Sequence, residues 1–165
     1  ALVGTVFTAV PLGNTDTKIL TDYSAEVFRA VTEEPAAQAA GFRYARFSAA
    51  DQRFPDAETV DAFLRFYQTL PEGAWLHFHC HAGHGRTTTF MVFCDILRNP
   101  DVAFADIVER QYAMGGTNLL AMSEDEEKND RALKLHLFYE YVAEQRAAGF
   151  AVPWSVWLAG RDEAA

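Results

Sequence analysis

With 165 residues, half of them hydrophobic and 13% aromatic, the chain can bury one real core, which excludes a disordered or low-complexity protein. Its net charge of −9 at pH 7 argues against nucleic acid or an anionic membrane as partner. Two cysteines make no disulfide framework, and no stretch has the pattern of a transmembrane run, a signal peptide or an internal repeat.

Residues 42–48 predict a strand, followed by a loop over Ser48–Arg53 that contains Asp51 and ends before Pro55. Asp56 reads as the N-cap of a helix over 57–69, where Val60, Phe63, Leu64 and Tyr67 recur at helical spacing. A buried strand over 74–79 follows, with His77 packed inside it and His79 orienting the next loop through hydrogen bonds. The run 87–98 is an apolar helix that stops at Asn99-Pro100, and Cys94 falls among its core positions. A helix over 101–114 stops at Gly115-Gly116. A long helix over 124–147 ends before Gly149 and opens with Ser123 and Glu126 as a capping box. Trp154 and Trp157 pack the tail onto the body. Parallel strands joined by helices imply an α/β fold with the central loop at a strand's C-terminal end.

That loop, His79-Cys80-His81-Ala82-Gly83-His84-Gly85-Arg86-Thr87, carries the chemistry. A cysteine thiolate can attack phosphorus. The five residues His81, Ala82, Gly83, His84 and Gly85 can turn their backbone N–H groups onto phosphate oxygens, and glycine permits the angles this needs. The loop runs into a helix N-terminus, which favours an anion. Arg86 adds a planar fork for two phosphate oxygens, and Thr87 lies near enough to donate a hydroxyl hydrogen bond to the thiolate.

A rival chemistry uses the same stretch. His77, His79, His81 and His84 crowd into eight positions, and His-x-His is a common metal-binding spacing. That reading leaves Cys-x5-Arg-Thr unexplained and finds no carboxylate within the cluster, so no metal and no other cofactor is expected. Cationic candidates for a substrate rim are Arg53, Arg86, Lys128, Arg131 and Lys134; the same residues read equally as solvated surface charge.

The loop with its flanks resembles the cysteine phytases, the protein-tyrosine-phosphatase-like inositol polyphosphatases. The resemblance rests on Trp75-Leu76-His77-Phe78-His79-Cys80, on Ala50-Asp51-Gln52-Arg53-Phe54-Pro55, on Phe138-Tyr139-x-Tyr141-Val142 and on Pro153-Trp154-Ser155-Val156-Trp157-Leu158. It implies a central, mostly parallel twisted sheet flanked by helices, with 1–31 the end of a small inserted β-subdomain, Ala1–Leu12 one of its strands, and 32–165 the catalytic core. It implies that the chain matches the C-terminal half of such an enzyme, with the other half as partner, and a secreted or periplasmic setting. The substrate implied is a small inositol polyphosphate. The alternatives are a protein-tyrosine or dual-specificity phosphatase, and an inactive or inositol-phosphate-binding module.

The resemblance also assigns roles. Cys80 is the nucleophile, Asp51 the general acid, and Arg86, Thr87 and His79 support them. Arg53, Lys128 and Arg131, with the loop residues, bind substrate. Asp56 competes with Asp51 but reads better as a helix cap. The chain departs from the family at Gln52, often His there, and at His81 and His84, where other residues are usual.

Overall fold

The structure is a computed structural model that describes residues 3–9, 23–81 and 83–162. Its contacts separate two units, Ala1–Arg46 and Phe47–Ala165. In the first, strand β1 (Val6–Ala9) pairs antiparallel with β2 (Tyr23–Glu26), Val6 opposite Glu26. The strand expected over 1–12 is thus Val6–Ala9; residues 1–2 and 10–12 lie outside the described residues. A short helix α1 (Glu33–Ala39) follows, which the sequence pattern does not announce. Its signal is Thr32 at the N-cap with Glu33 and Glu34 in the first turn, where acids suit the helix dipole.

The second unit is helical. Helix α2 (Ala57–Gln68) begins where expected, because the Asp56 carboxylate accepts the Thr59 N–H at 2.7 Å. It buries Val60, Phe63 and Leu64. Helix α3 (Gly85–Arg98) is buried on most of its faces, including Thr87, Thr88, Thr89, Phe90, Val92, Phe93 and Ile96. It packs on α4 (Phe104–Ala113) and α5 (Glu126–Gln145), while α6 (Trp154–Asp162) packs on α2 and α5. Phe93 and Phe138 meet at 4.2 Å between ring centres, and fully buried Trp154 lies against Phe54, Phe138, Tyr141 and Trp157. The tail therefore closes the core as the two tryptophans predicted.

One helix cap needs correction. The α5 cap is Asp125, whose carboxylate accepts the Glu127 N–H at 3.0 Å. Ser123 is drawn away from that role: its hydroxyl accepts the Asp125 N–H, and the Asn129 amide holds its backbone N–H and C=O at 3.1 and 2.8 Å. Neither 42–48 nor 74–79 has a strand partner among the described residues, where only β1 and β2 are strands. A strand is defined by partners for its N–H and C=O groups, whereas alternation of side chains reports only burial. The alternation itself survives. Leu76 and Phe78 pack against the core, and Trp75, His77 and His79 are exposed. His77, expected inside, stands outward and stacks between Trp75 and His79 at 6.0 and 5.9 Å.

Asp95 ties α3 to α4. Burial pushes its carboxyl up, but hydrogen bonds from Arg110, Gln111 and Asn99 outweigh burial and hold it below the ordinary value. A carboxyl depressed in this way adds stability above its unfolded value and loses it as pH falls through the folded one. The thermal midpoint should therefore drop as pH falls below about 4. Asp95→Asn should cost about 1–3 kcal/mol at neutral pH and flatten that acid limb. An acid limb as steep as wild type's in Asp95→Asn would remove Asp95 from this account.

Candidate active site

The extended segment ending at Cys80 turns into α3 within five residues. Thr87, in the first turn of α3, donates its hydroxyl to the Cys80 sulfur at 3.1 Å. The backbone N–H groups of Thr87, Gly83 and His84 are directed at the same sulfur. Burial pushes the Cys80 thiol up, but these hydrogen bonds prevail and the thiol lies below its ordinary value. Cys94 shows the opposite outcome: buried in α3, it is pushed up to about 12 and is chemically quiet.

The loop's glycines do different work. Gly83 has φ +84°, which other residues adopt only with strain. Gly85 is needed for closeness: a Cβ there would lie 2.5 Å from Nη1 of Arg131. Ala82 lies outside the described residues. The threonine run after Arg86 fastens the loop to the helix. The Thr88 hydroxyl donates to the His84 carbonyl at 3.0 Å and accepts the Thr117 N–H, while the Thr89 hydroxyl donates to the Gly85 carbonyl at 2.8 Å.

Arg86 stands beside the sulfur's loop. Its Nη2 donates to the His81 carbonyl and lies 3.2 Å from the Asp51 carboxylate, while its buried Nε has no partner among the described residues. Asp51 is largely exposed, on a tight turn where the Arg53 N–H donates to the Ala50 carbonyl at 3.3 Å and Gln52 takes φ +63°. Asp56 is occupied as a helix cap, so Asp51 is the carboxylate that reaches Arg86.

The predicted rim divides. Arg131 is only 4% exposed, and its guanidinium lies against Gly85. Burial pushes it below the ordinary arginine value, and the carboxylates of Asp125 and Asp51 oppose that shift. Arg53 is ion-paired with Glu127, Lys128 lies 3.7 Å from Asp125, and Lys134 lies 3.0 Å from Asp130. His79, His81 and His84 are exposed. Among the described residues no three His, Cys, Asp or Glu side chains are placed to hold a metal ion. The structure thus gathers Cys80, Gly83, His84, Gly85, Arg86, Thr87, Asp51 and Arg131. Two participants lie beyond the sequence reading. Thr89 was hidden inside an apolar helical run, and Glu127 has no local signal, because its partner Arg53 lies far away along the chain.

A family model for the PTP-like phytases, described by the words "Inositol hexakisphosphate", matches residues 8–98, more than half of the chain. The chain belongs to the PTP-like phytase family. It is similar to the tandemly repeated protein tyrosine phosphatase like phytase of Mitsuokella multacida, with a TM-score of 0.85 and 35% identity, over 96% of this chain and 28% of that one. It is equally similar to the PTP-like myo-inositol phosphatase of that organism solved in complex with myo-inositol-(1,3,4,5)-tetrakisphosphate, with a TM-score of 0.86 and 34% identity over the same shares. The chain therefore has the PTP-like phytase fold while spanning little more than a quarter of those two proteins. It also matches the uncharacterized protein AvrBs1.1 of Xanthomonas campestris pv. campestris at 44% identity over 91 residues, half of this chain and 86% of that protein.

This PTP-like phytase site makes a measurable claim about its sulfur. The pH midpoint for alkylation of Cys80 by iodoacetamide should lie below the ~8.5 of a free thiol. Thr87→Val, which removes the one side-chain donor to the sulfur among the described residues, should move that midpoint up. Cys94 should stay unmodified until the protein unfolds. An unmoved midpoint would assign the effect to the backbone N–H groups alone.

Proposed function

We propose that this protein is a cysteine-dependent phosphomonoesterase acting on inositol polyphosphates. The observation that carries the proposal is the convergence on one cysteine sulfur of a threonine hydroxyl and three backbone N–H groups, with Arg86 alongside. The phytase family and the inositol tetrakisphosphate bound to the Mitsuokella enzyme support the substrate class.

In this reading the substrate phosphate sits on the loop N–H groups and takes the Arg86 fork. The Cys80 thiolate attacks phosphorus as the bond to the inositol oxygen breaks, and the proton of the Asp51 carboxyl goes to that oxygen. Water then attacks the phosphocysteine. Asp51 takes its proton, the S–P bond breaks and phosphate leaves. The 3.2 Å contact between Asp51 and Arg86 gives the first step a trigger. A phosphate dianion on the fork displaces the carboxylate and frees it from Arg86 to face the leaving oxygen. Thr87 holds the thiolate, Arg131 places a buried cation against Gly85, and His79, His81, His84 and Lys128 are left as rim residues toward further phosphates, while Arg53 is paired with Glu127. No metal enters, because loop and arginine supply the charge stabilisation.

The finer architecture belongs to the same proposal. The alternating segment 74–79 is one strand of the family's sheet, taking strand partners from a further stretch of polypeptide. Residues 1–31 end its inserted β-subdomain. A protein-tyrosine phosphatase would use the same sulfur, and leaving-group dependence separates the two readings.

Cys80→Ser should abolish phosphate release while leaving phosphate binding intact. Asp51→Asn should lower kcat/KM on inositol hexakisphosphate by about 10²–10⁴-fold, and on nitrophenyl phosphate distinctly less, since a nitrophenolate scarcely needs a proton. Turnover by Cys80→Ser would end the mechanism. Equal losses on both substrates would make Asp51 a positioning residue rather than the acid. Faster release from a phosphotyrosine peptide than from any inositol phosphate would favour the tyrosine-phosphatase reading.

A further inference from the structure

Asp51 is exposed, and its turn holds a non-glycine residue at positive φ, so something must keep that turn in place. One tie is Asp51 to Arg86, but substrate removes it by taking the arginine. The second tie lies on the other side of Gln52. The Arg53 guanidinium contacts the Glu127 carboxylate. Glu127 is well founded for this. It is the second residue of α5, its backbone N–H is held by the Asp125 cap, and the Ser123–Asn129 hydrogen bonds brace the chain just ahead.

Resting on the phosphatase reading above, we infer that Glu127 is a positioning residue which, through Arg53, straps the Asp51 turn to the start of α5. When phosphate takes Arg86, the strap keeps the freed carboxyl over the reacting bond. The strap also competes with a role for Arg53 in binding substrate, because Glu127 already occupies that cation. The two roles predict opposite effects of removing the Glu127 charge. A strap loses function. A phosphate-binding Arg53 gains a free cation, and affinity rises.

The test uses the full chain as Glu127→Gln, Arg53→Gln and the exchanged pair Arg53→Glu/Glu127→Arg. Exposed ion pairs of this kind shift equilibria by up to about fivefold. Each single variant should lower kcat/KM on inositol hexakisphosphate by about two- to fivefold, leave nitrophenyl phosphate unchanged, and speed amide hydrogen exchange over residues 50–54. The exchanged pair should restore both readouts. A lower KM in Glu127→Gln, equal losses on the two substrates, or faster exchange without a change in the substrate ratio would each overturn the inference. Failure of the exchanged pair to restore would do the same. A protein releasing phosphate from neither substrate would end the phosphatase reading and this positioning role with it. The exchange comparison would still show whether the strap exists.

Discussion

One sulfur atom organises this structure. For a hydroxyl and three backbone N–H groups to be directed at Cys80, the chain must arrive extended, reverse within five residues and enter a helix whose position is fixed. The sequence meets the last condition by making α3 a core element. Thr88, Phe90, Val92, Phe93 and Ile96 are buried, so moving the helix would open the packing of α4 and α5. Core packing thereby sets the aim of N–H groups at the core's edge. Cys94 shows that the cysteine alone does nothing: in the same helix, without those donors, burial leaves it a protonated thiol.

A chain of net charge −9 can still suit a polyanion, because the field within about a Debye length, ~8–10 Å, decides binding. Without ligand the cations near the loop are largely held by acids: Arg86 by Asp51, Arg53 by Glu127, Lys128 by Asp125. An incoming phosphate must displace a carboxylate rather than fill an empty basic pocket. In the proposed reaction that costs affinity at the first phosphate and couples substrate arrival to the release of Asp51 from Arg86.

Much of this was legible in the residues. Helices α2 to α5 were written in apolar spacing with local stops, and Asp56 as a cap, because those signals act within a few residues. The loop around Cys80 was legible because its residues are contiguous. What was not legible was non-local. Strand pairing over 42–48 and 74–79 depends on partners that alternation cannot name, and His77 faced outward because periodicity gives two faces without saying which is in. Ser123 lost the α5 cap to Asp125 because Asn129, one turn into the helix, claims its backbone. Glu127 was invisible because its partner Arg53 sits far away along the chain, beside the Asp51 turn.

Arg131 and Gly85 show why burial has to be known before charges are ranked. By sequence Arg131 is one of several basic residues on a helix, and Gly85 is a flexible loop glycine. In the structure Gly85 has no positive φ; what it provides is the absence of a Cβ, which lets the guanidinium lie directly behind the loop. A charge that deep acts through a lower effective dielectric than the exposed Arg53 or Lys128, so its field on a phosphate is screened less. The desolvation it suffers is offset in part by Asp125 and Asp51, the second being the carboxylate proposed as the acid. Arg131 thus lies against the loop with Asp51 and Asp125 offsetting its burial, whereas the exposed Arg53 acts by where it holds the chain.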